Sequence, residues 1–195
     1  MTKSRLFSLL TVLAATAGAA AAETYKTDPG HTEVRVGWSH AGVSMQHGEF
    51  TTVTGTLELD AENPETASVT AAIAADSFFS GVEALDQHAK SPDFLDAGTY
   101  PEITFASTAV KLTGKDTAEI TGDLTLHGVT KPVVLDARLT HLGAHPVGQF
   151  FDYYKGDWVA FSAKGQIDPA DFGVGSSIPV GQLTINIDTE LKAAK

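Results

Sequence analysis

The chain has 195 residues, 13 Lys+Arg against 24 Asp+Glu for a formal net charge of −11, and no cysteine. Without Cys, a disulfide scaffold, a thiolate zinc site, a cysteine nucleophile and a lipidated cysteine anchor are excluded; the acidity argues against a nucleic-acid partner, whose binding needs a basic surface. At 43% hydrophobic and 19% charged the composition is that of a folded protein rather than a disordered tail, and the length suits one domain with a sizeable core.

Residues 1–22 are predicted to be an address rather than part of the fold. Lys3 and Arg5 form a short positive start, the apolar run 6–15 follows, and Ala20-Ala21-Ala22 supplies the small residues that signal peptidase needs. Cleavage is expected after Ala22. The two basic residues are not adjacent, so the segment is not a twin-arginine signal and export proceeds unfolded. Ser8, Thr11, Thr16 and Gly18 interrupt the stretch, which is barely long enough to span a bilayer. The exported chain, 23–195, is therefore expected to be one periplasmic domain with no membrane span. Having lost two basic residues, it is still more acidic, which disfavours adhesion to anionic lipid surfaces.

From Thr24 onward the dominant period is two. Val34, Val36 and Trp38 alternate with Glu33, Arg35 and Gly37, the pattern of a half-buried strand. Val53, Gly55, Leu57 and Leu59 repeat it after the His47-Gly48 break, and Val69, Ala71 and Ile73 follow the turn Glu62-Asn63-Pro64. Over 81–91, Val82, Leu85 and Ala89 fall at helical spacing and Pro92 ends the run, which predicts one short helix. Strand patterns resume at Ile103 and Phe105, then at Ala118, Ile120, Leu124 and Leu126. Val133, Leu135, Ala137 and Leu139 come next, and residues 143–156 read as a long hairpin loop holding Phe150, Phe151, Tyr153 and Tyr154. Val159, Phe161, Ala163 and Ile167, then Leu183, Ile185 and Ile187, complete seven or eight strands, a mostly antiparallel sheet. Such a sheet covers its edges or closes on itself. A closed barrel of about eight strands can hold a small ligand, whereas a sandwich fills its middle with side chains. The small residues Gly37, Gly55, Ala71, Ala137, Ala160 and Ala163 either leave room or pack opposite large ones, and alternation alone does not choose.

Catalytic patterns are sparse. The sequence has no G-x-S-x-G elbow, no P-loop, no H-E-x-x-H and no EF-hand loop. Gly173-Val174-Gly175 lacks the third glycine and the helix of a phosphate cradle. Asp86, His88 and Ser91 share one short helix, where residues two apart do not face each other, so a triad is not expected. His40 and His47 flank a turn, and His141 and His145 are separated by Gly143; neither pair offers a closed metal-ligand set. No metal, no cofactor and no catalytic residue is predicted.

Three stretches carry a resemblance. Asp86-Gln-His88-Ala-Lys-Ser91-Pro-Asp93-Phe94-Leu-Asp96 precedes Tyr100-Pro-Glu-Ile103-Thr-Phe105. Gly122-Asp-Leu-Thr-Leu-His127-Gly-Val-Thr-Lys131-Pro-Val follows, and then Phe161-Ser-Ala-Lys-Gly165-Gln-Ile-Asp168-Pro-Ala-Asp171-Phe172-Gly173. Together with Asp28-Pro-Gly-His31-Thr and Phe50-Thr-Thr-Val-Thr-Gly55-Thr-Leu, they resemble the YceI-like family of polyisoprenoid-binding proteins over nearly all of the exported chain. That resemblance implies an all-β, lipocalin-like extended antiparallel barrel with a helix beside its mouth. It also implies non-catalytic binding, transport or storage of a long isoprenoid, isoprenoid quinone or similar lipid in an apolar channel.

Channel candidates are Trp38, Val43, Phe50, Leu85, Phe94, Phe105, Leu126, Phe161 and Phe172. Arg35, His40, His88 and Arg138 are candidates for a polar or phosphorylated head group, arginine being the better bidentate phosphate donor. With so few arginines, and with the aromatic segment 141–158 if it borders the mouth, a quinone or neutral lipid competes with a diphosphate as cargo. Two other classes stay open: an enzyme acting on such a lipid through His40, His88 or His127, and a stress-response interaction module whose channel is incidental. An edge strand could pair two copies into a homodimer.

Overall fold

The computed structural model describes residues 22–175 and 181–194; the predicted signal segment lies outside them except for Ala22. In chain order the strands are β1 (Glu23–His40), β2 (Ser44–Phe50), β3 (Val53–Leu59), β4 (Ser68–Ala74) and β5 (Phe78–Phe79). After α1 (Glu83–Lys90) come β6 (Glu102–Leu112), β7 (Thr117–Leu126), β8 (Val129–Ala144), β9 (Asp157–Ile167) and β10 (Leu183–Ala193). Every pairing is antiparallel. The order β10-β9-β8-β7-β6-β4-β3-β1 closes through β1 onto β10, giving a barrel, with β2 and β5 extending from the second half of β1.

The long strand β1 makes closure possible. Its first residues pair with β3 (Tyr25 with Leu57) and its last with β2 (Trp38 with Gln46), while β10 runs along its other side. The two halves are offset by a bulge between Thr27 and Thr32, where Pro29 and Gly30 interrupt the ladder.

α1 is shorter than the 81–91 reading: Val82 is extended (φ −124°) and so is Ser91, as expected immediately before Pro92. The His127-Gly128 hairpin joins β7 to β8 with φ of 52° and 72°, the primed two-residue turn that matches strand twist. Tyr100 lies over it, its ring 4.6 Å from that of His127; a Cβ on Gly128 would meet that ring at 2.5 Å. The G-D-L-T-L-H-G-V-T-K-P-V stretch is thus a strand, a turn that needs its glycine, and the returning strand. In the 143–156 loop, β8 continues to Ala144, and two short 3-10 turns, Pro146–Gln149 and Asp152–Tyr154, precede β9.

Alternation holds around the ring. Inward residues are apolar, while Thr184, Asn186, Asp188 and Glu190 of β10 alternate with inward Leu183, Ile185 and Ile187. Bulges between Ser107 and Ala109 and between Leu139 and His141 reset the phase so that Val110, Leu112 and Leu142 also face in. Buried side chains form two groups. Near α1 lie Val34, Val36, Phe50, Phe78, Ile103, Leu126 and Phe172; at the opposite end lie Tyr25, Leu57, Leu59, Val159 and Leu191.

Candidate ligand cavity

Most of these buried side chains belong to the barrel wall and leave a cavity of about 740 Å³. Its lining runs from Trp38, His40, Leu85, His88 and Phe94 at the helix end to Leu112, Lys115, Asp116 and Leu142 at the other. Between them the wall is mainly aliphatic and aromatic, and several of its hydroxyls are partnered. Thr32 Oγ1 and Thr189 Oγ1 are 2.9 Å apart, and Thr27 Oγ1 accepts from the Gly55 N–H at 2.9 Å. Charge is therefore confined to the two ends.

Room in the middle comes from small inward residues. Gly55, Ala71, Ala137 and Ala163 line the cavity, whereas Gly37 and Ala160 do not, because each falls on the other phase of its strand. Gly122 and Gly165 serve a different purpose. A Cβ on Gly122 would meet the Phe105 ring at 2.3 Å, and one on Gly165 would meet Leu135 at 2.6 Å, so these glycines let large neighbours lie flat against the wall.

The structure divides the channel candidates. Trp38, Phe50, Leu85, Phe94, Phe105, Leu126 and Phe161 line the cavity; Val43 and Phe172 do not. Val43 sits in the β1–β2 turn, 83% exposed, and Phe172 is packed at 2% exposure in the turn that follows β9. Neither position lies on a strand, where alternation fixes the direction of a side chain.

The head-group candidates divide the same way. His40 and His88 reach the cavity at its helix end. Arg35 instead points outward, its guanidinium 2.6 Å from Asp188 Oδ2 and 3.6 Å from Glu33, and Arg138 is exposed on β8. Each stands between two inward residues, so its strand carries it to the outer wall. No arginine lines the cavity among the described residues. His88 packs edge-on against Phe94 with centroids 4.7 Å apart, and its Nε2 lies 3.9 Å from Asp93. Asp86 accepts from the N–H and Oγ of Ser80 at 2.7 and 2.6 Å, while Ser91 Oγ donates to the His88 carbonyl; the three are not aligned for proton relay.

One polar cluster escaped sequence reading. Within the β1 bulge, Asp28 is 5% exposed, accepting from Gly30 N–H (3.1 Å), His31 Nδ1 (2.7 Å) and Tyr153 Oη (2.8 Å). Burial works to raise the Asp28 pKa, but the hydrogen bonds from His31, Tyr153 and Gly30 prevail and hold it below the usual 3.8. The bond to Asp28 raises His31 above 6.5 against a smaller effect of burial, with Glu190 adding to the rise. Tyr153 is raised by the bond it donates to Asp28.

Donor atoms of Asp28, His31 and Glu190 lie within 4.8 Å of one another, the spacing of a metal triad. Asp28 already accepts three hydrogen bonds and His31 Nδ1 is spent on it, while Glu190 Oε2 faces His145. His145 Nδ1 accepts from the Val147 N–H, so its Nε2 carries the proton facing Glu190 at 3.2 Å. The arrangement fastens the 145–156 hairpin onto the outer barrel wall, over Trp158, which is 1% exposed and donates to the Tyr154 carbonyl at 3.0 Å. The aromatic side chains of the 141–158 segment therefore cover the wall, and of that segment Leu142 reaches the cavity's far end.

Comparison with known proteins points in one direction. Residues 25–193 match the family model described as a YceI-like domain. A UPF0312 protein of Pseudomonas fluorescens (strain SBW25) is 38% identical over 181 residues, covering 92% of this chain and 90% of its own. Among solved structures, BcnA of Burkholderia cenocepacia superposes with a TM-score of 0.73 at 22% identity, over 84% of this chain and 98% of that one. A polyisoprenoid binding domain from Saccharophagus degradans, implicated in plant cell wall breakdown, superposes with a TM-score of 0.63 at 13% identity, over 87% and 98%. At those identities the two structures share the barrel.

Proposed function

The chain belongs to the YceI-like domain family, and from that premise we propose that its barrel holds a long-chain isoprenoid, isoprenoid quinone or similar amphiphile and releases it unchanged, as a periplasmic carrier or store. The observation that carries this reading is the lengthwise, almost wholly apolar cavity with its polar groups at the ends. An isoprenoid chain gains roughly 0.8 kcal/mol for each CH₂-equivalent it buries, less the cost of ordering it. The outside is polar and the inside apolar, the reverse of a transmembrane barrel, and no described helix is long and apolar enough to cross a membrane. A protein built this way keeps a water-insoluble chain in an aqueous compartment, and the predicted signal segment would deliver it there.

The ends suggest the head group. His40 and His88 offer ring nitrogens at the helix end, and Lys115 stands near Asp116 at the other. With both Arg35 and Arg138 on the outer wall, a diphosphate would be buried near few counter-charges, which is costly. A neutral head, such as a quinone carbonyl or a prenol hydroxyl, needs only one or two hydrogen bonds.

Ligand titration tests the reading, with geranylgeraniol, a long-tail ubiquinone and geranylgeranyl diphosphate as probes. The first two should bind more tightly than the diphosphate. Ala163→Phe together with Ala137→Leu, which fill the cavity from β9 and β8, should weaken them at least about tenfold while the melting temperature stays near wild type. Equal binding by the filled variant would remove the cavity as the site. Chemical alteration of a probe during incubation would make the protein an enzyme, and no binding of any probe would favour an interaction module.

A further inference from the structure

The helix end of the barrel has a rim unlike the rest of the surface. Among the described residues, β1 has no partner on the β10 side beyond the Gly37–Thr184 pair, and β2 pairs with β5 at Glu49 and Phe50. Residues 38–47 therefore extend as a two-stranded arm with Ala41-Gly42-Val43 at its tip. The tip is a tight turn, with φ of 53° at Ala41 and 74° at Gly42. Val43 and Met45 of the arm are 83% and 59% exposed; Phe79 of β5 and Val82 before α1 are 51% and 55% exposed.

Charge sets the 38–47 arm apart more sharply than apolarity does, with Glu49 opposite Phe79 and Glu83 after Val82 bounding the uncharged patch. In a chain of net charge −11, residues 36–48 contain no Asp, Glu, Lys or Arg, and neither do residues 77–82. The rim also stands at the helix end of the cavity. Trp38, His40 and Ala41 of the arm line the cavity, as do Leu85 and His88 of α1, and the Trp38 ring lies 6.3 Å from that of Phe78. The other exposed aromatics, Phe150, Phe151 and Tyr153, sit in the hairpin fastened to the outer wall, among the charged groups of Asp152, Lys155 and Glu190.

We propose that the 38–47 arm with Phe79 and Val82 is a bilayer-docking rim, which seats the cavity entrance on a lipid surface so that the cargo passes between bilayer and barrel without crossing water. This rests on the lipid-binding reading of the cavity. Exposed apolar side chains at a hairpin tip gain free energy by entering the interfacial region of a bilayer. The charge distribution selects the orientation: an anionic or zwitterionic membrane repels or ignores the acidic wall and meets no carboxylate on the arm. A protein partner would equally accept apolar side chains, but it would not require the cargo entrance to lie among them.

Vesicle flotation tests the proposal, using protein purified after export and vesicles of phosphatidylcholine alone or with one-fifth phosphatidylglycerol. Wild type is expected to float with both, less with the anionic vesicles. Val43→Asp with Met45→Asp, two exposed positions whose change leaves the barrel core alone, should reduce the floated fraction about tenfold. Phe150→Ser with Phe151→Ser, on the distant hairpin, should float like wild type. With bromine-labelled acyl chains, the quenched tryptophan should be Trp38 and not the buried Trp158.

Failure of wild type to float, or equal flotation by the aspartate variant, overturns the proposal. So does loss of flotation only in the serine variant. If instead the aspartate substitutions split a dimer and no variant floats, the rim is a contact between copies. The cargo of each sample is extracted and identified in parallel: lipid-loaded protein that never floats refutes the rim and spares the cavity, and protein that floats but takes up no lipid refutes the cavity and spares the rim.

Discussion

Asp28 shows how much one buried carboxylate organises. It is reached by three donors from two separate parts of the chain, and the hairpin that supplies Tyr153 covers Trp158. Replacing it with Asn keeps the shape but mismatches a donor against a donor, and should cost about 1–3 kcal/mol in chemical denaturation. The pair also imposes a pH profile. Asp28 is held below 3.8, so its contribution is present above that value and lost as pH falls through the lowered folded pKa. His31 is raised above 6.5, so its contribution is complete below that value and lost as pH rises through the raised one. The melting temperature should therefore gain from this pair most fully between 3.8 and 6.5. In His31→Gln the alkaline loss should disappear, as thermal denaturation across pH would show; an unchanged profile would mean the pair is not coupled to folding. The same scale explains the arginines. Arg35 lies between Val34 and Val36, and Arg138 between Ala137 and Leu139, so alternation alone sends both outward.

At the scale of elements, period-two alternation made the eight barrel strands and their inward phases readable, and one run at helical spacing before Pro92 made α1 readable. β2 and β5 were not read from the sequence, and His47-Gly48, which reads as a break, lies inside β2. Side chains on strands were placed by that rule, from Trp38 to Phe161. Val43 and Phe172 lie in turns, which have no period, and both left the cavity wall. The Asp28–His31–Tyr153–Glu190 cluster was not legible because it depends on register: the β1 bulge meets β10, and the 145–156 hairpin folds back across it. Nor does alternation show where the strands enclose space, since an alanine facing inward can also be covered. What the G-D-L-T-L-H-G-V-T-K-P-V run contributes is local. Gly128→Ala should cost about 1–3 kcal/mol through its positive φ and its contact with Tyr100. Tyr100→Leu should return part of that loss in a double-mutant cycle. A purely additive result would leave strain at the turn as the whole cause.

The whole molecule separates two environments, an acidic shell that favours water and an apolar interior that is only partly filled. Folding an eight-stave barrel around small residues leaves dispersion contacts unmade, and a ligand chain that restores them stabilises the protein by mass action. Loading should therefore raise the melting temperature of wild type and scarcely move that of the cavity-filled Ala137→Leu, Ala163→Phe protein. The most direct measurement is native mass spectrometry of the protein purified from its own compartment, followed by release and identification of what it carries. The account predicts one prenyl lipid or isoprenoid quinone per barrel, recovered chemically unchanged. A barrel that is empty on purification, and stays empty after incubation with isoprenoids of several lengths, would contradict it.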